Sequence, residues 1–100
     1  MVKHIIIWNL KDELSDAEKQ ERKQLIKQGL ESLIGKIDGL VEIKVITELL
    51  GSSTGDLMLD STLESPEALK VYASHPEHLA VANGKVRPYT AQRSCLDFEI

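Results

Sequence analysis

Residues 3–10 read KHIIIWNL, a run of β-branched and aromatic side chains without turn formers, and predict a strand. Its middle, Ile5-Ile6-Ile7-Trp8, is apolar at both parities, so both faces of this strand call for cover. From about Asp16 to Ile37 the residues Ile26, Leu30, Leu33, Ile34 and Ile37 recur at spacings of three and four, which makes one helical face. Ser15 with Glu18 three positions later is a capping-box pattern at the start, and Gly35 and Gly39 bracket the end. Residues 41–50 set Val41, Ile43 and Val45 against Glu42 and Lys44, as a half-exposed strand does. Gly51 to Gly55 is a turn by composition, and 56–63 place Leu57, Leu59 and Leu63 on one face of a third strand. Ser65-Pro66 opens a short helix, Pro76 interrupts it, a second helical piece covers 76–86, and 90–99 alternate as a last strand.

The order is strand, helix, strand, strand, helix, strand. Right-handed crossovers then make a ferredoxin-like split βαβ domain of the α+β class over residues 1–100, its antiparallel four-stranded sheet ordered 4-1-3-2. The helices cover one sheet face. The apolar groups that the first strand turns to the other face need a second surface, so a homodimer through the open sheet face is expected.

Composition narrows the partners. The net charge is −4 and no basic run occurs, which argues against nucleic acid. No segment approaches a membrane span or the apolar core of a signal peptide, so a cytoplasmic protein with no membrane partner is expected. Cys95 is the only cysteine, which excludes an internal disulfide and a cysteine-based metal cluster. Inside the last strand it reads as a small buried hydrophobe. No zinc-ligand spacing or phosphate-binding loop appears, and neither a metal nor a cofactor is expected.

Candidate chemistry is concentrated in Tyr72-Ala73-Ser74-His75-Pro76-Glu77-His78, which holds two of the three histidines in a chain only 4% aromatic. His78 is a candidate general base and Tyr72 a candidate phenolic donor to a carbonyl oxygen. Six residues do not bring two side chains together on one unbroken helix, so a bend at Pro76 would have to do so. The plain alternative is that Tyr72 packs on the sheet and His78 is a satisfied polar residue. His75, just before proline, reads as a cap. His4 shares parity with Ile6 and Trp8, and antiparallel pairing of the first and last strands sets it near Asp97; the pair either fixes an imidazole tautomer or satisfies two half-buried polar groups. Trp8 reads as core.

Lys3-His4-Ile5-Ile6-Ile7-Trp8, Tyr72-x-x-His75-Pro76-x-His78 and the late Asp97 together resemble the stress-responsive α/β barrel domain family, and the resemblance covers nearly the whole chain. It implies ferredoxin-like protomers whose sheets pack face to face in a dimeric α/β barrel. It also implies a pocket. A plant branch of the family includes a polyketide cyclase that closes a ring by aldol condensation. The resemblance to that branch assigns His78 as base and Tyr72 as its helper, with His4 and Asp97 lining or supporting the pocket. Leu79-Ala80-Val81-Ala82 are small and aliphatic where the cyclase is aromatic, and the first helix has no tyrosine or phenylalanine. The acid/base pair is therefore carried over without the cyclase's substrate. Three functions remain open on the sequence: a small-molecule binder with an apolar pocket lined in part by Tyr72 and His78, with His4, Ile6, Trp8, His75 and Asp97 as pocket or supporting residues, taking a small apolar or carbonyl ligand; a lyase or cyclase acting on a carbonyl compound; and a non-catalytic structural or stress-protection protein.

Overall fold

The computed structural model describes residues Met1–Ile100. Its elements are β1 (Val2–Leu10), α1 (Asp16–Glu31), β2 (Leu40–Ile46), β3 (Leu57–Leu63), α2 (Pro66–Ser74), α3 (Pro76–Val81) and β4 (Thr90–Glu99), with a π turn at Ala82–Val86 and a 3-10 turn at Arg87–Tyr89 between the last two. The sheet order is β2-β3-β1-β4, and every neighbouring pair is antiparallel. This is the α+β ferredoxin-like topology expected from the sequence.

The barrel is not formed. β2 pairs only with β3 and β4 only with β1, so the sheet is open, with an edge strand on either side and no ladder joining them. Four strands cannot wrap a filled interior on their own, since small closed barrels run to about eight strands.

Alternation in β1 decides where the core lies. Val2, His4, Ile6, Trp8 and Leu10 are buried beneath the helices, while Lys3, Ile5, Ile7 and Asn9 point the other way. Ile26, Leu30 and Leu33 from the first helical region and Tyr72 from α2 close over the first set, with Leu57, Leu59 and Leu63 from β3. The opposite face carries Ile7, Leu96 and Phe98, all substantially exposed.

Local signals set the helix ends. The Ser15 hydroxyl accepts from the Glu18 N–H at 3.1 Å, and the Glu18 carboxylate accepts from the Ser15 N–H at 2.9 Å, which completes the capping box. The same contacts hold the Glu18 carboxyl below its ordinary range. α1 is shorter than the apolar spacing suggests. It stops at Glu31, and Leu33 and Ile37 reach the core from turns. Gly35 and Gly39 there take φ of 80° and 87°, a left-handed backbone that side chains resist. A methyl group on Gly39 would also sit 2.7 Å from the Ala68 Cβ.

Side chains of α1 cover one point on the β2 edge of the sheet. The Lys27 ammonium donates to the Val45 carbonyl at 2.8 Å, and the Glu31 carboxylate accepts the Val45 N–H at 2.9 Å. Lys27 and Glu31 are themselves paired at 2.7 Å. Burial pushes the Glu31 carboxyl up, but the contacts from Lys27 and the Val45 N–H outweigh it, and the group lies below its ordinary value.

Candidate functional site

The helix break at Pro76 builds the site. α2 ends at Ser74, His75 is extended at φ −65° and ψ 133°, and α3 starts afresh at Pro76. The change of direction brings the Tyr72 and His78 rings to 4.4 Å between centroids with a 39° tilt. His75 itself stays out of the cavity. Its Nδ1 accepts the Glu77 N–H at 3.1 Å, so it caps α3 and holds the bend.

Under this bend lies a cavity of about 160 Å³. Ile6, Trp8, Leu30 and Leu59 give it an apolar floor, and His4, Tyr72 and His78 supply its polar groups. Ala82 and Val86 come from the π turn, and Arg87, Thr90 and Arg93 line the side where the chain passes into β4.

Hydrogen bonds fix the state of both histidines that line it. The Ala73 carbonyl lies 3.2 Å from His78 Nδ1. A carbonyl only accepts, so Nδ1 carries the proton and Nε2 holds the lone pair. Burial pushes the His78 pKa below its ordinary 6.5; the Ala73 carbonyl opposes this, and Arg87, His4 and Arg93 add to it. The ring is therefore neutral at pH 7. His4 Nδ1 stands 2.5 Å from Asp97 Oδ1, in the β1–β4 register that places the two residues opposite each other. The carboxylate thus holds the Nδ1–H tautomer of His4, whose ring meets Tyr72 edge-on at 5.9 Å.

Tyr72 is the unusual member. It is buried, and its hydroxyl has no hydrogen-bond partner. Burial pushes its pKa up to about 12, so the phenol keeps its proton at any physiological pH. A buried donor without an acceptor is uncommon in folded proteins, and here the residue that carries it lines the cavity.

Cys95 differs from the sequence reading. It is exposed on edge strand β4, because no helix covers that end of the sheet. Burial and the adjacent Asp97 raise its thiol pKa. Its Sγ lies 3.6 Å from Asp97 Oδ1 and 4.0 Å from His4 Nδ1, so three metal-capable donors fall within 4.8 Å of one another. The 2.5 Å His4–Asp97 approach is a hydrogen bond, since ligands about 2.0–2.2 Å from a tetrahedral zinc would stand farther apart. A metal would have to part this pair.

Arg87 and Arg93 were not singled out in the sequence. Arg93 carried a usable signal, for it shares strand parity with Cys95 and Asp97. Arg87 carried none, because the π and 3-10 turns that aim it have no simple periodicity.

The open sheet, the two-part helix over it and the histidine- and tyrosine-lined cavity define a ferredoxin-like α+β protein with a small internal site. Comparison with known proteins places it further. The chain belongs to the Stress responsive A/B Barrel Domain family, whose model matches residues 2–100. A dimeric protein of unknown function and ferredoxin-like fold from Bacteroides fragilis is 30% identical, with a TM-score of 0.91 over 99% of this chain and 95% of that one. At3g17210 from Arabidopsis thaliana is 21% identical, with a TM-score of 0.79 over 100% and 95% of the two chains. A hydroxynitrile lyase from Passiflora edulis is 19% identical, with a TM-score of 0.75 over 99% and 92%. The last two share the fold. No curated protein sequence matches the chain. No helix is long and apolar enough to cross a membrane.

Proposed function

We propose that the protein is a homodimeric enzyme of the lyase or cyclase type, which removes a proton from a carbon beside a carbonyl group. His78 Nε2 takes the proton. The C–H bond breaks, an N–H bond forms, and the electron pair moves onto the carbonyl oxygen. The Tyr72 hydroxyl donates to that oxygen and stabilises the enolate. His4, oriented by Asp97, offers its second ring nitrogen to the same space. The enolate carbon then attacks a second carbonyl, whose new alkoxide takes the proton back from His78, or the enolate collapses to a carbon–carbon double bond as a leaving group on the adjacent carbon departs with that proton.

The observation that carries this reading is the buried, unpartnered Tyr72 hydroxyl beside a neutral histidine on one cavity wall. A ligand carbonyl would supply the missing acceptor. The cavity also weighs against a purely structural role, which calls for a filled interior. The dimer is supported by the exposed Ile7, Leu96 and Phe98 on the open sheet face, and by the dimeric description of the 30%-identical relative.

The test is solvent deuterium exchange at the α-carbon of small ketones, followed by NMR with purified protein. His78→Ala should slow exchange by about 10²–10⁴-fold, the usual worth of a positioned base, while sedimentation still shows a dimer. Unchanged exchange in His78→Ala sinks the proposal. Ligand uptake without any exchange leaves a binding protein. A monomer at every micromolar concentration removes the dimer.

A further inference from the structure

The charges around the cavity do not match those of the chain. The protein has 16 acidic and 12 basic residues. The cavity lining includes two arginines, Arg87 and Arg93, and no carboxylate. Neither arginine is in an ion pair, and the three ion pairs of the chain lie elsewhere or, for His4–Asp97, use no arginine. Arg87 spends one donor on the Asn83 side-chain carbonyl one helical turn back. That contact holds the guanidinium in place and leaves most of its five N–H groups free. Arg93 stands next along β4 from Cys95 on the same face, opposite Trp8 of the cavity floor. Arg93 also reaches the Cys95 thiol, but two guanidinium groups free of ion pairs beside an apolar hollow form a receptor for an anion with an organic body, because planar guanidinium forks match a carboxylate.

We propose that the substrate is a small keto acid, whose carboxylate is held by Arg87 and Arg93 while its ketone reaches Tyr72 and His78. The floor of Ile6, Trp8, Leu30 and Leu59 takes the carbon chain between the two ends. The cavity volume of about 160 Å³ limits that chain to a few carbons. The carboxylate anchors one end, so the carbon presented to His78 is fixed by the distance along the chain. This specifies the substrate of the site proposed above and rests on that reading.

The chain contains its own reporter. Trp8 is the only tryptophan and lies on the cavity floor. Its fluorescence can be titrated with 4-oxopentanoate and with the methyl ester of the same acid, which keeps the ketone and loses the charge. The acid should bind roughly tenfold or more tighter than the ester, as charge-assisted hydrogen bonds provide. That preference should shrink as salt is added, and in Arg87→Gln and Arg93→Gln. Arg93→Lys should restore it only in part, since a lysine keeps the charge without the fork. Equal binding of acid and ester overturns the keto-acid proposal and leaves the carbonyl reading standing. A preference that survives both glutamine variants also overturns it, because the anion is then held elsewhere. Silence of Trp8 to both compounds overturns this proposal together with the cavity reading beneath it.

Discussion

Replacing Tyr72 by phenylalanine should make the protein more stable while disabling it. A hydroxyl buried without a partner forfeits about 1–3 kcal/mol of hydration. Phenylalanine has the same ring and rotamers and lacks only the oxygen, so that cost disappears. The void left by one oxygen, about 10 Å³, returns roughly 0.2 kcal/mol at the usual cavity coefficient. The net gain is about 1–2.5 kcal/mol. In a domain of this length that raises Tm by about 5–15 °C. Denaturant unfolding followed through Trp8 fluorescence measures it directly, with an unchanged m-value confirming that the native state alone has moved. Alkaline pH provides an internal check. The Tyr72 pKa is raised in the folded state to about 12 from an ordinary 10. Stability from this group is intact below pH 10 and is lost between pH 10 and 12, at about 1.4 kcal/mol per pH unit. The phenylalanine variant lacks that loss, so its advantage should widen above pH 10. Equal or lower stability of Tyr72→Phe would mean that the hydroxyl already has a partner, and the argument for a ligand acceptor would fail with it.

Other consequences follow from the same geometry. The His78 pKa is lowered in the folded state, so the basic form persists below pH 6.5, and the acid limb of kcat/KM for exchange should fall below that value; a midpoint at or above 6.5 contradicts the burial argument. The same shift makes stability drop as pH falls from 6.5 toward the folded-state value, because the unfolded chain takes up that proton first, and His78→Gln should flatten this part of the pH–stability curve measured by urea unfolding. Gly39→Ala combines a left-handed backbone with a 2.7 Å approach to Ala68 and should cost about 2 kcal/mol or more, whereas Gly51→Ala, with open space around it, should be near neutral; equal midpoints for the two variants would contradict this.

The fold was legible because its signals are local. The Ile5–Trp8 run marked a strand with two faces to cover. The Ser15–Glu18 and Ser65–Pro66 caps started the helices where the structure has them. The antiparallel pairing inferred for the first and last strands set His4 opposite Asp97. The site was legible only in part. Tyr72 and His78 meet through a bend whose angle depends on the extended His75 and its capping bond, and no periodicity encodes an angle. Leu33 and Ile37 kept helical spacing after the helix had ended, because turns at Gly35 and Gly39 still deliver them to the core. Cys95 looked buried because alternation reports which residues share a face, not whether any element covers it. The open sheet has the same origin: pairing order is readable from crossovers, but closure depends on how far a sheet must curl.

The Lys27–Glu31 clasp on Val45 bears on how the protein fails. A filament grown by strand addition needs two free edges per chain, one to accept and one to donate. With Val45 near the end of β2 satisfied by its own helix, β4 is the edge with its backbone groups free of such cover, and two such edges that find each other form a finished pair with nowhere to grow. Glu31→Ala reopens the second edge and should speed aggregation on gentle heating, read by light scattering; an unchanged rate would show that β2 is guarded by something else. Acid should act like the mutation, since protonating Glu31 releases the Val45 N–H, and the depressed carboxyl pKa sets how acidic the surroundings must become before the chain turns from a self-limiting associator into a polymerising one.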